Sequence, residues 1–301
     1  MKAVQFAEYG GPEVLKLVEV DEPHAGVGQV RVAVRAAGIN GIDSKIRAGY
    51  MSAQMPLPMP SGTGMDASGV VDEVGDGVTG VAIGDAVFGS GSATLAEYAV
   101  LANWAVKPDG LAFEEAAGYP VPVETAIRIL DQVGVGSGET LLVSGASGGV
   151  GSAVIQVARD RGMTVIGTAR ERNHDYLRSL GAIPTTYGDG LVERVRALAP
   201  DGIDAALDIA GSGVIPELIE LTGDPSKVLS IADFSARQHG AQVSMSGTGA
   251  AAAFAEAARL FSAGKFSIPV EKTFPLEAAA EAQARSAAGH AAGRIVVTVS
   301  S

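Results

Sequence analysis

Gly145, Gly148 and Gly151 stand three residues apart, between the apolar run Leu141, Leu142, Val143 and a helical pattern carrying Val154, Ile155 and Val157. Glycines at that spacing allow a tight turn in which backbone N–H groups, unhindered by Cβ atoms, close on a pyrophosphate at the N-terminus of the following helix. The chemistry such a loop supports is dinucleotide binding, with Ser147, Gly148, Gly149 and Val150 as the expected contacts. The spacing departs from the strict G-x-G-x-x-G, and in a chain of 40 glycines it gains weight from its context of strand, turn, helix and second strand without a break. Gly162 is placed to end the helix. At the tip of the second strand, Thr164 to Thr168, a NAD site would carry Asp or Glu for the ribose 2′-hydroxyl. This chain carries Arg170, whose fork of donors suits a 2′-phosphate, and Arg172 adds a second charge. NADPH is therefore the expected cofactor. Glu171 between the arginines leaves NAD open, as does a reading of both arginines as solvated loop charges.

The elements that position this loop divide the chain in two. From Met1 to Gly118, VLKLVEV, QVRVAVRAAGIN, ASGVVDEVG, GDAVFG and LAEYAVL are short strand patterns between turn residues, interrupted by one short helix, IDSKIR, after Asn40. From Tyr119 onward helices alternate with strands, starting with a helix over Val123 to Gln132 and ending with AQVSMSG, which predicts a parallel, doubly wound α/β sheet. After the helix AAAAFAEAARLFSAG, the closing VEKTFPLEAAAEAQARSAAGH and RIVVTV give strand, helix and strand. These return to the first domain, so the expected domains are 1–118 with 264–301, and 119–263.

The 301 residues, 47% of them hydrophobic, supply cores for two domains. A net charge of -12 argues against nucleic acid and anionic membranes as partners. There is no cysteine, which excludes disulfides and thiolate ligands, and four scattered histidines, His24, His174, His239 and His290, are expected to face solvent and not to hold a metal. No Ser, His and Asp constellation supports hydrolysis. The opening MKAVQFAEYGG alternates like a strand, without the pattern of a signal peptide, and no apolar run reaches membrane-spanning length, so a cytoplasmic protein is expected.

AAGINGID, MDASGVVDEVGDGV with GDAVFG, LAEYAV, FEEAAGYPVPVETA, SGASGGVGSAVIQVA, FPLEAAAEA and GHAAGRIVVTV, in this order, resemble the zinc-independent quinone oxidoreductase branch of the medium-chain dehydrogenase/reductase superfamily, the zeta-crystallin-like enzymes. The resemblance implies a GroES-like β-barrel built from both chain ends, a Rossmann domain between them, NADPH in the cleft and a homodimer, for which AQVSMSG would be the edge strand. It also implies hydride transfer to a quinone. The alternatives are reduction of an activated enone in secondary metabolism and a low-turnover NADPH-binding protein. The chain departs from the family at Gly41, where Pro is frequent, at Glu124 before Thr125, and in the short loop ADFSARQHGAQ. In the zinc-dependent branch a Gly-His-Glu motif stands where this chain has SGTGMDASG, leaving Asp66 as the one potential ligand.

Reduction of a carbonyl acceptor needs a donor for the developing oxyanion. Asn40 is the candidate, donating its amide to the acceptor or holding the nicotinamide ribose; it reads equally as the cap of the short helix, with Asp43 completing a capping box. Tyr50 either lines the pocket and donates a proton or is a plain loop residue. Thr125, read as opening its helix, would bond cofactor phosphate or ribose, or cap. Phe234, at the end of the fifth strand, is placed among the cofactor contacts. By resemblance, Tyr187 flanks the adenosine 2′-phosphate and Arg294 occupies a basic position near the cofactor; otherwise Tyr187 is an ordinary tyrosine and Arg294 an exposed charge on a barrel strand.

Overall fold

Alternation of valines with polar residues and alanines opens the strand Val30–Ile39, where Val30, Val32 and Val34 are buried and Arg35 is exposed; from Ala36 onward every residue is buried, because a short helix covers the second face there. The computed structural model describes residues 1–53, 56–289 and 292–299. In chain order the first strands are β1 (Lys2–Phe6), β2 (Lys16–Glu19), β3 (Val30–Ile39), β4 (Ser61–Gly62), β5 (Asp66–Val74), β6 (Ala86–Gly91) and β7 (Tyr98–Val106), with helices α1 (Gly41–Arg47) and α2 (Phe113–Ala116).

Then the periodicity changes. Helix α3 (Pro120–Val133) leads into β8 (Thr140–Ser144), α4 (Gly149–Asp160), β9 (Thr164–Thr168), α5 (His174–Ser179), β10 (Ile183–Thr185), α6 (Leu191–Leu198), β11 (Ala205–Asp208), α7 (Ile215–Thr222), β12 (Val228–Ser230) and β13 (Gln242–Val243). The strands form one parallel sheet in the order β10-β9-β8-β11-β12-β13. That order reverses between β8 and β11, the switch point at which doubly wound sheets take ligands. Leu141, Leu142 and Val143 of the central β8 are fully buried, each worth roughly 2 kcal/mol of burial. Helix α4 buries every residue from Gly151 to Ala158.

The chain closes with α8 (Ala250–Ser262), β14 (Val270–Pro275), α9 (Ala279–Ala287) and β15 (Arg294–Thr298). β14 and β15 join the first sheet in the order β14-β15-β3-β5-β6-β7, and an additional β3–β7 pairing closes it into a barrel. Two compact units result: Met1–Val121 with the residues from Ala250 onward, and Pro122–Gly249. Helix α8, assigned by its sequence position to the second domain, packs on β6 and β7 of the first unit, where Phe254 meets Phe88. No helix among the described residues is long and apolar enough to cross a membrane.

Candidate cofactor cradle and buried polar network

The loop between β8 and α4 is shaped by two glycines for different reasons. Gly145 lies at φ +86°, a conformation that L side chains rarely adopt. Gly151 packs against the turn itself: a Cβ there would sit 2.5 Å from the Gly145 carbonyl oxygen and 2.6 Å from Ala146 backbone atoms. Gly148 caps α4 with no side-chain hydrogen bond, so the first-turn N–H groups of a 12-residue helix are left to a ligand or to solvent. Ser147, Gly148, Gly149 and Val150 are half-buried at this point. A diphosphate fits such a cradle: backbone donors, the positive end of a helix, and no Cβ in the way.

The neighbouring strand ends complete it. Arg170, just past β9, donates through Nε to the Tyr187 hydroxyl at 3.0 Å, which lies just past β10. Both side chains are exposed, Tyr187 half so, and Arg172 is exposed in the turn Glu171–Asn173. Asn173 donates to Ser147 Oγ at 3.2 Å, tying that turn to the glycine loop. On the other side, the buried Asp208 accepts from Ser230 Oγ at 2.8 Å and from the Gly211 N–H at 2.9 Å, while Ser230 Oγ accepts from the N–H groups of Ala232 and Asp233. This one carboxylate therefore holds the loops after both β11 and β12. Phe234 follows them, about half exposed. All these groups lie at the C-terminal ends of parallel strands.

Thr125 is corrected by the structure. Helix α3 begins at Pro120, so Thr125 stands in its second turn and has no capping role; its buried hydroxyl accepts from Arg128 Nη2 at 3.4 Å. Pro120 was the available signal, since proline is favoured in a first helical turn. Glu124, where the chain departs from the family, is held by Arg128 at 2.8 Å, and Arg128 also donates to Ser244 Oγ.

In the first unit, strand register brings three distant residues together. Ile295 pairs with Ile39 and Gly38 with Asp66, so the ends of the adjacent β15, β3 and β5 carry Arg294, Asn40 and Asp66 to one point. Asn40 Nδ2 donates to Asp66 Oδ2 at 2.9 Å; Arg294 Nη2 donates to Asn40 Oδ1 at 2.9 Å and to Asp66 Oδ2 at 3.2 Å. Asp66 Oδ1 accepts the Val121 N–H at 3.1 Å. Arg294 is buried and ion-paired, so its reading as an exposed barrel charge is overturned: β15 is covered on both faces at that residue. Asn40 is the N-cap of α1 and forms the expected capping box with Asp43, whose carboxylate accepts the Asn40 backbone N–H at 2.8 Å, while the Asn40 side chain also bonds Asp66 and Arg294. Gly41 begins α1 in open space, a position where proline would also fit. Buried Arg47 bonds Gln283, and Gln283 bonds Thr63, fixing α1 against α9.

Burial dominates the electrostatics here. It pushes Asp66 up to about 6 and Asp43 up to about 7, against the pull of Arg294 and their hydrogen bonds, and it lowers Arg294. Both partners of the Asp66–Arg294 pair thus lose more to desolvation than they regain from each other.

The model of an alcohol dehydrogenase GroES-like domain matches residues 26–112, and that of a zinc-binding dehydrogenase matches residues 180–297. The quinone oxidoreductase of Rattus norvegicus is 35% identical over 235 residues, covering 71% of this chain and 71% of its own length. The chain belongs to the zinc-independent, quinone oxidoreductase-like branch of the medium-chain dehydrogenase/reductase family. The human quinone oxidoreductase is 41% identical over 175 residues, 56% of this chain, and the chain spans only 53% of that relative's length. The 2-methylene-furan-3-one reductase of Solanum lycopersicum is 37% identical over 229 residues, 71% of this chain and 58% of the relative. Among solved structures, the quinone oxidoreductase from Coxiella burnetii superposes with a TM-score of 0.86 at 30% identity, over 100% of this chain and 99% of that one. A mycobacterial protein solved in complex with NADPH superposes with a TM-score of 0.86 at 25% identity, over 99% and 100%.

The residues do not fit the zinc in the name of one family model. The chain has no cysteine. Asp66, the one candidate ligand in its segment, already accepts three hydrogen bonds and has a guanidinium at 3.2 Å, a charge that repels a cation. No group of three or more His, Cys, Asp or Glu suited to a metal occurs among the described residues. His24 and His239 are exposed; His174 is half-buried against the Ala169 carbonyl, contrary to its expected exposure, and His290 lies outside the described residues. Tyr50 is 79% exposed in the turn after α1. Reading the residues in isolation missed Asp66 and Asp208 as organisers, because each works through partners far away in sequence.

Proposed function

We propose that the protein is an NADPH-dependent reductase that transfers hydride to a quinone or a related activated carbonyl acceptor without a metal. The observation that carries this reading is the glycine cradle flanked by the hydrogen-bonded Arg170 and Tyr187. The N–H groups of Ser147, Gly148, Gly149 and Val150 bind the diphosphate, while Arg170 and Tyr187, with Arg172 beside them, bind the 2′-phosphate. The bound cofactor supplies the hydride, and the acceptor takes up one proton besides. Asn40 offers an N–H group to the acceptor oxygen as charge develops on it. With no buried acid or base assigned to the acceptor, the proton comes from solvent or from the exposed Tyr50.

Reduction of an activated enone is the second reading, supported by the similarity to the tomato furanone reductase. A panel of 1,4-benzoquinone, 9,10-phenanthrenequinone and short enones, followed by NADPH fluorescence, tests both. Quinone-dependent consumption is expected. Consumption with enones alone selects the second reading, and a bound cofactor consumed by no acceptor leaves a binding protein.

The same reading includes a cytoplasmic homodimer, supported by the edge position of β13, whose outer side has no strand partner among the described residues. Light scattering at micromolar concentration is expected to give twice the chain mass; a monomer mass rejects the dimer.

A further inference from the structure

We infer that Asp66 is a positioning residue: it fixes which way round the Asn40 amide faces and holds the Arg294 guanidinium beside it, so that the amide keeps an N–H donor for an acceptor oxygen. This rests on the proposed reductase reading, since it assigns a task within that chemistry.

Three hydrogen bonds close the ring from Asn40 to Asp66 to Arg294 and back to Asn40. An isolated asparagine amide can turn end for end at little cost, exchanging its donor and acceptor edges. Here the turned amide would set Nδ2 against the Arg294 donors and Oδ1 against the Asp66 carboxylate, donor on donor and acceptor on acceptor, in a place where Asn40, Asp66 and Arg294 are all at least 94% buried. Only one orientation is tolerable. It leaves one hydrogen of Asn40 Nδ2 uncommitted among the described residues. Asp66 is itself anchored by the Val121 N–H, so the carboxylate that sets the amide cannot swing. It also balances the Arg294 charge, where an unpaired arginine would be a bare buried cation.

Asp66→Asn tests this with little change of volume. The new amide can still accept from Val121 or Arg294, but its own NH2 faces Asn40 and invites that amide to turn. The expected result is a kcat lower by roughly tenfold to a hundredfold with quinone acceptor, KM for NADPH within about twofold of wild type, and a folded protein by thermal melt. In the Asn40→Ala background the same substitution should cost far less, because its main route of action is already gone. Wild-type kcat in Asp66→Asn, or full additivity with Asn40→Ala, overturns the inference. A second measurement needs no folded variant of Asp66: in wild-type protein the Asn40 side-chain amide, assigned by its absence from Asn40→Ala, should give a resolved 15N–1H pair protected from solvent exchange. Rapid exchange of that amide overturns the inference too. If wild type reduces no acceptor at all, the reductase reading fails, while the amide exchange still decides whether Asp66 positions Asn40.

Discussion

The cradle around α4 and the network around Asp66 both gather N–H groups, yet they are built in opposite ways. The cradle takes its donors from the backbone, its residues nearly contiguous, and it leaves them half-exposed and uncapped. The network takes its donors from side chains contributed by three strand ends, up to 254 residues apart, and buries them. Backbone donors carry no net charge, so an open cradle costs little to maintain and takes a ligand that brings its own charge. Side-chain donors in a dry interior must be balanced within the fold, and the raised carboxyls of Asp66 and Asp43 record how incompletely that is done. The difference shows which region depends on its ligand and which on the fold.

The sharpest way to break the comparison is on the cradle side, at Arg170. A hydrogen bond to a charged group is worth roughly 1.5 to 3 kcal/mol, or about ten- to a hundredfold in affinity. Arg170→Ala should weaken NADPH by that factor and leave NADH almost unchanged, with the melting temperature of the free protein unmoved because the side chain is exposed. Titration of both cofactors by fluorescence checks it. Equal losses for NADPH and NADH would mean that Arg170 supports the loop through Tyr187 instead of reading the phosphate.

The same contrast explains what was legible in the sequence. Gly145, Gly151, Arg170 and the strand Thr164–Thr168 fall within one strand-turn-helix-strand run, whose periodicity and punctuation are local, and the structure follows that run closely. Asn40 stands out singly by its residue type, and Arg294 through the family resemblance. Their junction does not, because it depends on β15 and β5 both pairing with β3, a matter of sheet order that no local pattern encodes. For Arg294 the sequence leaves two readings open, a basic position near the cofactor and an exposed charge on a barrel strand, and nothing in GRIVVTV announces the second covering layer that buries it. The start of α3 was misplaced for a different reason: the apolar period begins at Val123, whereas the helix itself starts at a proline with its first turn still irregular in pattern.

The smaller effect, on the network side, is a pH dependence of stability, and Asp43 is where it is cleanest. Burial raises its carboxyl from an ordinary 3.8 to about 7, the hydrogen bond from the Asn40 N–H notwithstanding. Between those two values the folded protein holds a proton that the unfolded chain has released, so raising the pH shifts the balance toward unfolding. The stability in question is fully present below about pH 4 and lost as the pH climbs toward 7. Asp43→Asn removes the titration while keeping an oxygen that accepts the Asn40 N–H, so the cap survives. Thermal melts of the two proteins should therefore nearly coincide below about pH 4 and part above it, with the Asp43→Asn variant melting higher by at least a few degrees at pH 8. Asp66, raised for the same reason, slopes both curves in the same direction, which is why the difference between them, and not either curve alone, isolates Asp43. A variant that melts lower than wild type by one constant margin at every pH would show that the charged form of Asp43 is needed by Arg47 and Arg294 more than burial penalises it, and the network would then be held by its charges and not in spite of them.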